Sequence, residues 1–346
     1  MIKCKKIFNM LSLIIISTLV VGCAKGGKLK AKEEIKIGVT LYKQDDVFIS
    51  TISSNLEEIV KKNGSNYDFK ILLETLDAKG STLNQGNQVD KFINQDYDVI
   101  CVNLVDRTAA ATIIDKVKYA DIPIIFFNRE PVEEDMNRWN KVYYVGAQAE
   151  QSARLQADIV AEQWNSNKEL YDKNKDGIIQ YVMLEGEPGH QDSLIRTEYC
   201  IKSLNEKGIQ LEKLADDSAN WQSDQANSKM TQWIKEFGDK IEVVFSNNDG
   251  MALGAIHAIN SNSALIRKPI VVGVDGIKEA MESIKNKEMN GTVISDSVAQ
   301  AEAIFEIAID VAQGKSLEDI SDMEKEKYKK IPHTKVTINN VDKYLK

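Results

Sequence analysis

Only 4 cysteines and 5 prolines occur in the 346 residues. So few cysteines exclude a small disulfide-stapled scaffold. So few prolines, with 43% hydrophobic and 28% charged residues, exclude a disordered chain and leave a globular one. Positive charge is also short: 44 Lys and Arg stand against 52 Asp and Glu, a formal net charge of -8. That sign disfavours a nucleic-acid binder held by phosphate neutralisation. Neither GxGxxG nor a Walker pattern is present, so a phosphate-cradling nucleotide site is disfavoured too. Short-period repeats are absent.

The amino terminus has a different character. Lys3, Lys5 and Lys6 precede an apolar run from Ile7 to Val21, which ends in Val20-Val21-Gly22-Cys23. A basic start, an apolar stretch and a small residue before a cut define a secretory signal. The run is shorter than the ~20 apolar residues of a spanning helix, the alternative reading. A small residue followed by Cys resembles a lipoprotein cleavage box, which implies residues 1–22 as signal, lipid attachment at Cys23 and a polar tether over 23–34. Lipid chains contribute roughly 0.8 kcal/mol of membrane affinity per buried methylene, and two chains anchor stably. The expected location is the outer face of the cytoplasmic membrane. Cleavage removes three lysines, so the mature chain is more acidic than -8. Cys101 and Cys200 remain, in apolar and helical surroundings that predict buried thiols.

The rest alternates two periodicities. Apolar runs rich in Ile and Val recur at Ile35–Leu41, Phe69–Leu73, Val99–Leu104, Pro123–Phe127, Ile179–Leu184, Ile241–Phe245, Ile270–Val274 and Gly291–Ile294. Helix-period segments lie between them, clearest at Ile49–Lys62, Asn84–Ile93, Gln148–Trp164, Asp224–Phe237 and Ala299–Ala312. Continuously apolar strands indicate sheets covered on both faces, and the β-α alternation gives a parallel, doubly wound fold. This many strands exceeds one comfortable core, so two α/β lobes are predicted.

In such sheets ligands bind beyond the carboxyl ends of the strands. Those ends carry Tyr42 to Phe48, Asn128 to Pro131, Glu185 to Asp192, Ser246 to Asp249, Asp275-Gly276 and Ser295-Asp296. Carboxylates and amides pair with hydroxyls, Arg donates in a fixed fork, and aromatic rings such as Phe48 and Trp221 cover apolar C–H faces. A hexose has these complementary groups. The competing reading of Asp46, Asn248, Asp249 and Asp275 is helix N-capping.

Several motifs in one order carry a family resemblance. Ile37-Gly38-Val39-Thr40-Leu41-Tyr42-Lys43-Gln44-Asp45-Asp46-Val47-Phe48 resembles the start of the bacterial galactose/glucose-binding proteins. The likeness continues through Val102 to Asp106, Phe126 to Pro131, Tyr143 to Gly146, Gly186 to His190, Ile241 to Val244, Asn247 to Asp249 and Gly273 to Asp275. It implies a type I periplasmic binding protein: two doubly wound parallel-sheet lobes joined by a three-strand hinge, without catalysis. The expected lobes are 35–145 with 300–330 and 147–297 with 336–346. The implied sugar site is Asp46, Phe48, Asn128, His190, Asp192, Arg196, Trp221, Asn248 and Asp275, with Phe48 and Trp221 stacking on opposite ring faces. Asp46 would take the 4-hydroxyl in either epimer. For His190 the competing reading is a capping or core histidine. Ser295 departs from the family, which has asparagine there; a hydroxyl offers one donor and shorter reach, so weakened or retuned hexose binding is expected.

Asp172 to Gln180 reads as the first nine positions of a calcium loop. Side-chain oxygens fall on Asp172, Asn174, Asp176 and Gln180, Gly177 allows the sharp turn, and Ile178 offers its carbonyl. The bidentate glutamate an EF-hand needs is missing, because Met183 stands in its place. The resemblance implies that Glu242 replaces it and that Ca2+ is structural. The competing reading is a solvated turn.

Lobe closure over a hexose, followed by docking on an ABC permease, is the expected mechanism, with the protein a monomer. Chain crossings are expected near Gly146–Ala147, Ser297–Gln300 and Ile331–Thr334. Three rivals stand beside it. Glu187, His190 and Asp192 could be an acid/base set, but no base-activated nucleophile accompanies them. A sugar-responsive repressor would need a helix-turn-helix before the first strand, where only leader and tether lie. A chemotaxis or sensor receptor could replace the permease, which sequence does not distinguish.

Overall fold

A computed structural model describes residues 33–263, 265–315, 323 and 327–345. The leader, Cys23 and the tether up to residue 32 lie outside the described residues, as does most of 316–326. The described strands, in chain order, are β1 (Glu34–Leu41), β2 (Lys70–Asp77), β3 (Val99–Val102), β4 (Ile124–Phe127), β5 (Val142–Ala147), β6 (Ile179–Glu185), β7 (Leu211–Ser218), β8 (Val243–Ser246), β9 (Ile270–Val272), β10 (Gly291–Ser295), β11 (Tyr328–Ile331) and β12 (His333–Thr337). Between them run helices α1 (Val47–Asn63), α2 (Thr82–Asn94), α3 (Ala110–Tyr119), α4 (Glu133–Met136), α5 (Ala149–Ser166), α6 (Lys168–Tyr171), α7 (Gln191–Glu206), α8 (Ser223–Phe237), α9 (Asp249–Asn260), α10 (Lys278–Lys285) and α11 (Ser297–Ala312).

The strands form two six-stranded sheets, ordered β11-β5-β4-β3-β1-β2 and β12-β10-β9-β8-β6-β7. The inner strands β3, β4, β8 and β9 are buried at every residue. Helices on both faces remove those strands from water, which is why their sequences read as unbroken apolar runs. Each sheet has a packed cluster on each face: one around Ile37 and Phe305 and another around Phe92 and Phe126 in the first lobe, with two more around Met251 and Trp164 in the second. Cys101 and Cys200 are free and buried in these clusters, and burial pushes the Cys101 thiol up to about 12.

Four strands are not among the runs read from the sequence: β5, β7, β11 and β12. β7 is the outermost strand of its sheet, Leu-Glu-Lys-Leu-Ala-Asp-Asp-Ser, with no residue fully buried. An edge strand tolerates such polarity because solvent takes part of its surface. β12 runs antiparallel to β10, so the second sheet is mixed where a wholly parallel one was expected.

The chain passes between the sheets three times: between β5 and α5, between β10 and α11, and between β11 and β12 at Pro332. Helix α11 packs on α1 and the first sheet and begins at Ser297, so all of Ser297–Gln300 belongs to it and the second passage lies at Asp296.

Candidate functional site

Parallel register brings the carboxyl ends of each sheet to one level. Leu184 pairs with Ser246, so the segments after β6 and β8 leave their sheet together. Several helices then start at polar caps. Asp46 caps α1, accepting from the Ile49 N–H at 3.0 Å. Asn248 caps α9, accepting from the Met251 N–H at 2.9 Å. His190 caps α7, its Nδ1 accepting from the Asp192 N–H at 3.1 Å. The capping reading is thus true of all three, and a cap leaves the rest of each side chain at the strand end.

A cavity lies between the two sheets' carboxyl ends. Asp46, Phe48 and Asn128 line it from the first lobe; His190, Asp192, Arg196, Trp221, Asn248, Asp275 and Ser295 line it from the second. All ten residues singled out in the sequence therefore share one cavity. Trp221 sits where Gly186 has no side chain: a Cβ there would meet the indole ring at 2.0 Å. The His190 ring meets Trp221 edge-on, with centroids 5.1 Å apart.

Hydrogen bonds within the protein orient the polar groups. Arg196 is buried, donating to Asp192 Oδ2 at 3.0 Å and to the Asn247 carbonyl at 2.8 Å. Burial, with Arg129 and Arg196 nearby, pushes the His190 pKa well down, so the ring is neutral. Since Nδ1 accepts, the proton sits on Nε2, which makes that nitrogen a donor. Burial raises the Asp192 carboxyl, with Arg196 opposing, and raises Asp275 well above the usual range, with Asp249 adding repulsion. Asp275 has φ 124°, a conformation L-residues rarely adopt. Buried Asp249 holds the following turn, accepting from the Gly276 and Ile277 N–H groups at 2.7 and 3.0 Å.

Sequence reasoning missed Tyr42, Arg129 and Gln300, which also line the cavity. The Arg129 guanidinium lies 3.8 Å from the Tyr42 ring centroid, and Tyr42 donates its hydroxyl to Asp46 Oδ2 at 2.6 Å. Gln300, one turn into α11, donates its amide to Ser295 Oγ at 3.0 Å and is buried. An amide thus stands beside Ser295, where the resemblance implied an asparagine. Their common signal was position: Tyr42 and Arg129 directly follow or adjoin a strand end, and Gln300 lies five residues beyond Ser295.

The loop from Asp172 to Gln180 lies at the amino end of β6, opposite the cavity. Asp172 Oδ2 accepts from the Gly177 N–H at 3.1 Å, and Asp176 Oδ1 from the Ile178 N–H at 2.8 Å. Glu242 joins the loop from just before β8, accepting from the Lys173 N–H at 2.6 Å and the Gln180 N–H at 3.0 Å. The Asn174 and Gln180 amides both donate to Asp176 Oδ2, at 2.7 and 2.9 Å. Asp172 Oδ1 is buried without a hydrogen-bond partner. Among the described residues no three His, Cys, Asp or Glu side chains stand in a metal-holding group. The donor set here is instead an all-oxygen mixture of carboxylates, amides and the Ile178 carbonyl, and the orphaned Asp172 oxygen is consistent with a hard cation such as calcium.

A two-lobed α/β protein whose polar strand ends meet in one cleft between the lobes is a solute-binding protein of the hinge type. Residues 37–316 match the family described as periplasmic binding protein domain, and the chain belongs to that family. The D-galactose/methyl-galactoside binding periplasmic protein MglB of Haemophilus influenzae is 39% identical over 313 residues, covering 90% of this chain and 92% of that one. The xylitol-binding protein of Mycolicibacterium smegmatis is 27% identical over 295 residues, covering 85% of this chain and 77% of that one. Among solved structures, an ABC transporter solute binding protein from Bacillus halodurans with bound myo-inositol superposes with a TM-score of 0.76 at 29% identity, covering 91% of this chain and 99% of that one. Proteins of this family bind solutes outside the cytoplasm and are not enzymes, so the rival acid/base reading of Glu187, His190 and Asp192 falls away.

Proposed function

We propose that this protein captures a pyranose hexose of the galactose or glucose type in the interlobe cavity and delivers it to an ABC permease. The observation that carries this reading is the one cavity in which carboxylates, amides, two arginines, one histidine and three aromatic rings converge from both lobes. Carboxylates there accept from sugar hydroxyls, while Arg196 and the His190 Nε2–H donate to them. Phe48 and Trp221 belong to different lobes, so stacking on opposite ring faces would tie lobe closure to occupancy. Support comes also from the Haemophilus influenzae relative, whose name gives D-galactose and methyl-galactoside as its ligands.

Calcium at Asp172, Asn174, Asp176, Ile178, Gln180 and Glu242 is a structural part of the proposal. It would tie the loop before β6 to the strand start at Glu242 and lend stability without touching the sugar. Lipid attachment at Cys23, a monomeric state, and the permease or a sensor receptor as partner complete it; these rest on sequence.

Calorimetry with a panel of monosaccharides, and with myo-inositol, on the calcium-loaded mature chain tests the reading. Tight binding of galactose or glucose is expected. A panel in which no hexose gives heat, or in which only inositol does, overturns it.

A further inference from the structure

Glu187 has no part in the sugar site, yet it reaches across the cleft. It follows β6 in the second lobe, and its Oε2 accepts from Arg129 NH2 of the first lobe at 2.5 Å. Arg129 is held from its own side: NH1 donates to the Val105 carbonyl at 3.0 Å, and the guanidinium lies on Tyr42. Beside this pair, Gln191 of the second lobe donates to the Asn128 carbonyl of the first at 2.7 Å. The side chains differ in exposure, 5% for Arg129 against 38% for Glu187. A second cavity, lined by Arg107, Glu187 and Gln191 among others, shares Arg129 and His190 with the first, so the pair stands between the two cavities.

We propose that Arg129, in the cavity wall, and Glu187, outside it, form a clasp between the lobes that stabilises closure, with Tyr42 linking the clasp to Asp46. The proposal rests on the lobe-closure reading above. Arg129 is already oriented by contacts within its own lobe, so closure need order only the glutamate. When the lobes part, Glu187 returns to water at little cost. Removing Glu187 leaves the guanidinium short of a partner in the closed form alone, because in the open form water reaches it. The penalty thus falls on one state, and only such a differential penalty shifts an equilibrium.

The test is Glu187→Ala in the full exported chain carrying fluorophores at Tyr119→Cys and Ile266→Cys, exposed positions on the first and second lobes. Interlobe distance distributions are recorded without sugar and with galactose, alongside galactose affinity by calorimetry. The variant is expected to shift the sugar-free population toward longer distances. It should also weaken galactose binding about tenfold, mainly through faster release. Raising salt should weaken the unmutated chain more than the variant, since an ion pair is screened. Unchanged distances and unchanged affinity in the variant overturn the clasp, as does a fall in melting temperature with the distance distribution intact, which marks a merely structural role. If the unmutated chain binds no hexose, the proposed function fails, while the sugar-free distances still decide the clasp.

Discussion

The interlobe cavity and the loop at Asp172 are both built from oxygen-rich side chains, but they are assembled in opposite ways. Five of the six loop positions lie within nine consecutive residues, and Glu242 alone comes from elsewhere. The cavity draws its residues from positions 42 to 300, across both lobes. A contiguous loop is shaped by its own turn chemistry and the backbone freedom of Gly177, whose φ is 77°. The cavity exists only because parallel register aligns strand ends and three passages bring the lobes face to face. The contrast separates an oxygen-rich loop within one lobe from a cavity shared between two.

Four experiments sharpen or break that contrast. The largest effect is expected from Asp192→Ala. It leaves Arg196 buried without its carboxylate partner, which costs about 3–5 kcal/mol and should abolish hexose binding; denaturant unfolding and calorimetry measure the two effects. Retained tight binding would show that the cavity tolerates loss of its central ion pair. Stripping calcium should come next. A cation present at a hundred times its Kd contributes about 2.7 kcal/mol, so the melting temperature should fall and recover on adding calcium, with hexose affinity changed less than twofold. No change in melting temperature would refute the metal site, and a large loss of affinity would show that the two regions are coupled. Trp221→Ala should weaken hexose binding by about 2 kcal/mol, or roughly thirtyfold, with little effect on the calcium-dependent melting temperature. The smallest effect is expected from Ser295→Asn, which should shift hexose affinity or preference by up to about 1 kcal/mol in calorimetric titrations. Equal affinities for every hexose would mean that Gln300 already supplies the amide that Ser295 lacks.

Much of this was legible in the residues. Buried inner strands such as Ile124–Phe127 have no polar face, so their covering by helices on both sides follows directly from sequence. β7 and β12 were not legible, since an edge strand and a hinge strand satisfy their backbones without an apolar pattern. His190 shows the limit at the level of one side chain. Sequence offered a cap or a ligand contact as alternatives, whereas the structure gives one ring nitrogen to the cap and leaves the other pointing to a use of its own. Arg129 was read only as a strand-end residue and Glu187 also as a member of a rival acid/base set, because a partner 58 residues away across a cleft leaves no local periodicity.

By itself the sequence determined the lobed α/β class, the oxygen-rich loop and the kinds of group at each strand end, because turns, caps and sheet burial depend on neighbouring residues. Only the tertiary structure decided which of those groups share a cavity, how His190 is protonated, and that Arg129 meets Glu187 across it. Those outcomes depend on desolvation and on distances between segments far apart in the chain, and neither quantity exists until the lobes have packed.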